Sequence, residues 1–180
     1  MNTLRLRLMH REALQCLEDA EVLHRASRID APSDSVYLLQ LLGLELLLKL
    51  AYEVTLQKKS SRSHAYEKIF DALPDHLRNN LLKLVGERIG PSALSKDAAS
   101  IFKKWGENFI SLRYPYERYE SLTEEQYSAL GEQWIVKGGF VDEATFRYHP
   151  EELFGMLHAL RLVAEEMANQ SFHPTPSVHG

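Results

Sequence analysis

Few residues in this chain have the types and spacing that chemistry needs. Glu21-x-x-His24 has the spacing that ferritin-like bundles use to hold iron, but such a site needs a second copy on another helix and two further glutamates. No second copy is present, so the pair reads as a solvated helix end, and no metal or cofactor is expected. Cys16 is the only cysteine, which excludes an intramolecular disulfide framework and a cysteine-based zinc site; it reads as a small buried hydrophobe. The sequence has no His-Glu-x-x-His, phosphate loop, dinucleotide fingerprint or nucleophile elbow. Gly138-Gly139 alone makes a turn, not a phosphate cradle.

Two polar clusters stand out. Arg113-Tyr114-Pro115-Tyr116-Glu117-Arg118-Tyr119-Glu120 ends a helix at a proline amid aromatics and alternating charge. Arginine and tyrosine together can hold a phosphate and stack on a base, as in grips on single-stranded RNA. An arginine–glutamate network tying down the helix terminus accounts for the same residues. The second cluster, Lys58, Lys59, Arg62 and His64, is a basic loop opening a helix; it reads either as a solvated loop or as a phosphate contact.

The elements that must carry these residues are helical. The chain has 180 residues, of which 26% are charged, and a formal charge of −4, the profile of one globular domain and not of a protein that coats nucleic acid. Leucine occurs 29 times against 14 valines plus isoleucines, a skew toward helix formers. Val36 to Tyr52 is the most apolar stretch, yet it falls short of a membrane span and is interrupted by Gln40, Glu45 and Lys49. Its leucines point in nearly every direction, so Ser33 to about Gln57 reads as the central helix of a bundle, capped by Ser33 or Asp34, and no membrane association is expected.

Around it, Leu6, Met9, Ala13, Leu17, Ala20 and Leu23 stripe a first helix from Thr3 to Arg25. A short helix should start near Ser63 or His64, with Pro74 ending it or opening the next. Gly86, Gly90 and Pro91 suggest a loop, and Ser92 or Ser95 a cap for the helix that Pro115 terminates. Thr123 with Gln126 offers a capping box for a short helix toward Leu130. Gln133 to Tyr148 reads as non-helical, with a two-residue hairpin turn at Gly138-Gly139, and His149-Pro150 opens the last helix. The expectation is an all-α, up-and-down helical bundle over residues 1–170, with an irregular or β-hairpin insertion before the last helix and a flexible tail over 171–180. The N-terminus shows no signal-peptide pattern, so a cytoplasmic location is expected.

Three segments together resemble the HEPN domains, small helical bundles of prokaryotic toxin–antitoxin and defence proteins. The leucine-rich helix with Glu45 and Lys49 is similar to the family's E-x-x-x-K helix. His64-Ala65-Tyr66-Glu67-Lys68-Ile69-Phe70-Asp71-Ala72-Leu73 is similar to its H-D-L…L helix. Phe109-Ile110-Ser111-Leu112-Arg113-Tyr114-Pro115-Tyr116-Glu117 falls where many members carry an arginine followed, after four to six residues, by a histidine. The resemblance spans roughly residues 33 to 120. It implies a homodimer, and in members with both residues it implies metal-independent cleavage of RNA.

Here no histidine follows Arg113 within reach, and neither tyrosine nor arginine readily replaces one as a proton carrier near neutral pH. Arg5 and His10 have the spacing but lie on the first helix, outside the family's location. The sequence therefore points to a non-catalytic HEPN-like module that binds a partner protein or RNA, with Arg113, Tyr114, Tyr116, Glu117, Arg118, Lys58, Lys59 and Arg62 as candidate binding residues. The alternative is a metal-independent endoribonuclease that uses Arg113 with a histidine from elsewhere, His64 being the first candidate.

Overall fold

A computed structural model describes residues 3–26, 34–139, 144 and 146–172, with side chains through 169. Among these the chain is all-α: α1 (Thr3–Ala26), α2 (Asp34–Leu56), α3 (Tyr66–Asp71), α4 (Asp75–Ile89), α5 (Leu94–Ser111), α6 (Pro115–Tyr119), α7 (Glu124–Val136) and α8 (Pro150–Phe172). α2 is the axis of the bundle. It is long and apolar enough to meet the composition of a membrane span, but Leu41, Leu44, Leu47, Leu48, Leu50 and Ala51 are buried against neighbouring helices. α1 lies antiparallel to it: Arg5 meets Glu53 at one end, and Leu17 sits over Gly43 further along. A Cβ on Gly43 would come within 2.6 Å of the Leu17 side chain, so the glycine sets how closely the two helices approach. α8 packs on α2 and α4, while α3 packs on α5. Phe70, Phe102 and Trp105 form the aromatic centre of the core between α3 and α5, with Phe70 stacked on Phe102 at 4.4 Å.

Several boundaries depart from the sequence reading, each for a local reason. Gly86 lies inside α4, and the positive φ of Gly90 marks the helix end instead. Neither Ser92 nor Ser95 caps the main run of α5. Asp97 does so from inside it, leaving helical geometry (φ −150°, ψ 68°) while its Oδ1 accepts from Ser100 N at 3.0 Å. The capping box at Thr123 and Gln126 is formed, but α7 continues past Leu130 to Val136, so Gln133–Val136 is helical. Gly138 and Gly139, both at positive φ, terminate that helix: Gly138 N donates to Ile135 O and Gly139 N to Trp134 O, the Schellman pattern in place of a hairpin turn. No strand occurs among the described residues. The far arm of the expected hairpin, from Phe140, lies outside them apart from residues 144 and 146–148. α8 runs to Phe172, two residues into the expected tail, whose remainder also lies outside the described residues.

Residues 146–149, just before α8, have no regular secondary structure and are tied to the core. Tyr37 OH and Trp105 Nε1 both donate to the carbonyl of Tyr148, at 3.0 and 3.2 Å. Buried Asn108 donates to Tyr37 OH at 3.1 Å and to the carbonyl of Arg147 at 2.9 Å, and Tyr148 OH donates to Asp34 Oδ1 at 2.9 Å. Burial pushes the Tyr37 and Tyr148 phenols up, so both stay protonated as donors.

Candidate functional site

α2 presents Glu45, Lys49 and Glu53 at successive four-residue steps, hence along one side of the helix. All three are buried, at 5%, 8% and 3% exposure. Charged groups stay buried only when paired, and the loop over 57–65 together with α1 supplies much of the pairing. Arg5 Nη2 and Nε donate to the two oxygens of Glu53 at 2.9 and 3.0 Å; Ser60 N and Oγ donate to Oε1 at 3.0 and 2.7 Å. Burial alone would push the Glu53 carboxyl up, but these hydrogen bonds from Arg5 and Ser60 outweigh it and hold the group down at about 2. Further along, Lys49 Nζ donates to Glu45 Oε1 at 2.6 Å, and His64 Nδ1 lies 2.8 Å from Glu45 Oε2.

His64 is held from its other side by α5. Its ring tilts against Phe109 at 5.1 Å, and its backbone carbonyl rests where a Cβ on Gly106 would be. Phe109 also carries Arg113, whose guanidinium lies 4.7 Å over the ring while Nε donates to the Phe109 carbonyl at 3.1 Å. The structure thus brings the two candidate acid–base and phosphate residues, His64 and Arg113, to one phenylalanine. Arg113 also lies 5.7 Å from the Tyr114 ring, and Tyr114 meets Tyr116 edge-on at 6.3 Å, both tyrosines exposed.

On the other flank of Glu45 and Lys49, an open cleft of about 770 Å³ lies between α1, α2 and the loop. Arg5, Arg11, Lys49, Lys59 and Arg62 line it, against the two carboxylates Glu12 and Glu45. Lys59 and Arg62 line the cleft from the loop, while Lys58 is exposed outside the cleft lining. The cleft and the Arg113 cluster are joined by a chain of contacts, Lys49 to Glu45 to His64 to Phe109 to Arg113.

The Arg113–Glu120 cluster does not act as one unit. Arg118 turns away and stacks over Phe146 at 5.2 Å. Among the described residues neither Arg113 nor Arg118 forms an ion pair with Glu117 or Glu120; aromatic rings take the place of the carboxylates. Arg118 and Phe146 adjoin a second cleft, of about 600 Å³, walled by Tyr119, Tyr127, Trp134, Phe146 and Tyr148. The sequence carried no signal for that wall because these aromatics have no common period.

The remaining pairs separate. Glu21 is taken by Arg25 at 2.8 Å, and no group of three or more metal-ligating side chains converges among the described residues. Arg5 reaches α2, whereas His10 is partly buried on the side facing Glu165 of α8, where burial pushes its imidazole down. What sequence reasoning missed is Glu53 with Arg5 and Ser60. The four-residue spacing that marked Glu45 and Lys49 continues to Glu53 and was the available signal. Compared with known proteins, the chain matches no family model, no curated sequence and no solved structure.

Proposed function

We propose that this chain is a HEPN-like helical module that binds single-stranded RNA without cleaving it, in the toxin–antitoxin or defence setting where such domains act. The observation that carries this reading is the cleft between α1, α2 and the 57–65 loop, where Arg5 and Lys49 are paired with Glu53 and Glu45 but Arg11, Lys59 and Arg62 stand against the single further carboxylate of Glu12, on a chain whose net charge is −4. Local positive charge on an acidic protein favours an anionic ligand at that place and not over the whole surface. Exposed Tyr114 and Tyr116 beside Arg113 add ring faces on which bases can stack. Binding without cleavage fits the absence of a histidine after Arg113.

The test is binding of labelled single-stranded and structured RNA in EDTA, followed across a salt series. The expected result is intact RNA bound with an affinity that falls as salt rises, by roughly 0.7 in logarithmic slope per phosphate neutralised on a single strand. Salt-insensitive binding, or none, refutes the reading and directs the search to a protein partner.

A second reading rests on its own observation. His64 Nδ1 meets the Glu45 carboxylate while its ring shares Phe109 with Arg113. A carboxylate that fixes one imidazole nitrogen leaves the other for proton transfer, and an arginine nearby can stabilise charge on a phosphate. In that case the wild type cleaves RNA in EDTA, and folded His64→Ala and Arg113→Ala do not.

A further inference from the structure

α7 spans 13 residues, about 20 Å, yet none of them is buried. Its inner side, Tyr127, Leu130 and Trp134, faces the aromatic wall of Tyr119, Phe146 and Tyr148. The outer side follows from helical spacing: Glu125, Ala129, Glu132 and Val136 stand at i, i+4, i+7 and i+11, with Glu124, Ser128 and Ile135 beside them. Glu124, Glu125 and Glu132 share one shallow depression, and Ile135 and Val136 continue the face at 68% and 85% exposure. Glu124 and Glu132 make no ion pair among the described residues. The outer face is thus acidic along most of its length and apolar at its last turn.

The basic cleft is its complement. Arg11, Lys59 and Arg62 make no ion pair among the described residues, and exposed Leu4 and Leu8 lie beside them on α1. Unpaired cations face a missing anion, two leucines face a missing apolar partner, and the outer face of α7 offers both in one rigid element. Its own chain holds the inner side of α7 toward Tyr119 and Phe146, which directs the outer side to solvent. We propose that the outer face of α7 docks in the basic cleft of a second copy of this chain, giving a reciprocal dimer in which each copy donates one helix and receives one. Helix-in-groove docking of this kind is self-complementary under a twofold axis. RNA and the α7 face seek the same cations, so the two compete; the dimer does not depend on RNA binding.

Light scattering and sedimentation of the full chain at low salt test this, with circular dichroism as a check on folding. The wild type should run at twice its 20.7 kDa and shift toward monomer as salt rises. Lys59→Glu/Arg62→Glu and Glu125→Lys/Glu132→Lys should each be monomeric alone, and an equimolar mixture should return to the dimer mass, because both contacts are then restored. A monomeric wild type at low salt, a reversal variant that stays dimeric, or a mixture of folded variants that stays monomeric overturns the proposal. Where a reversal variant does not fold, Lys59→Ala/Arg62→Ala supplies the same reading of the dimer mass. RNA binding by a monomeric wild type would leave the cleft as an RNA site and refute only the docking.

Discussion

Arg5 and Glu53 meet through two parallel hydrogen bonds across the α1–α2 contact, at 2.9 and 3.0 Å, and the same carboxylate anchors the basic loop through Ser60. One buried group therefore joins two helices and fixes the loop that carries Lys59 and Arg62. A bidentate pair of this type adds orientation as well as energy.

Glu53 makes stability depend on acid pH. Its carboxyl is held at about 2 in the fold, below the 4.5 of an unperturbed glutamate. The unfolded chain therefore takes up the proton first as pH falls. The contribution is complete above about pH 5 and is lost progressively toward pH 2, amounting to about 2–3 kcal/mol. Urea unfolding at pH 7 and pH 3 should show that loss in the wild type and a much smaller change in Glu53→Gln. Arg5→Ala should destabilise at pH 7, because it strands a buried carboxylate.

Glu45 and Lys49 form a buried pair whose removal one residue at a time should cost more than removal of both. Glu45→Leu leaves the Lys49 ammonium without its partner, and about 3–5 kcal/mol is the expected scale for breaking such a pair. Lys49→Met leaves Glu45 its contact with His64. The double variant Glu45→Leu/Lys49→Met should recover part of the loss, with a coupling of about 1–3 kcal/mol in a double-mutant cycle read by denaturant unfolding. Additive losses would mean that the two side chains do not act as a pair.

Gly106 should control the position of His64. An alanine there drives its Cβ into the His64 carbonyl, a backbone atom that can yield only if the loop moves. Gly106→Ala should cost about 1–3 kcal/mol and shift the His64 ring resonances, while Gly131→Ala, which meets nothing within 4 Å, should do neither. Two-dimensional spectra of both variants give the comparison.

Periodicity made the bundle legible: the stripe on α1, the leucines of α2 and the face of α8 each repeat at helical spacing and are buried accordingly. Proline at Pro74 and Pro150 placed helix starts well, since its fixed φ suits the first turn, whereas Pro115, read only as the end of α5, also opens the short α6. The hairpin misreading came from Gly138-Gly139, a dipeptide that serves a helix end as readily as a strand turn; only the reach of α7 decides between them. Asp97 was hidden because a cap inside an apparent helix has no break in composition. For the site, residue type and local sequence suffice to single out Lys59, Arg62, His64 and Arg113 as candidates. They do not reveal the cleft itself, because Arg5 and Glu53 are 48 residues apart and nothing short of the fold brings them together.

Phosphate and base contacts should separate in RNA binding. Lys59 and Arg62 line the cleft as cations, so Lys59→Ala/Arg62→Ala should weaken binding to all single strands alike and lower the logarithmic salt slope by roughly 1 to 2. Tyr114 and Tyr116 are exposed rings that carry no charge, so Tyr114→Ala/Tyr116→Ala should weaken binding by about 1–3 kcal/mol per base lost from the stack and leave the slope unchanged. Abasic strands, which keep the phosphates, should bind the wild type as the tyrosine variant binds intact RNA. Fluorescence anisotropy over a salt series measures both quantities for each variant. Should the tyrosine variant lower the slope, or the cleft variant leave it untouched, the division of labour between cleft and rings is wrong.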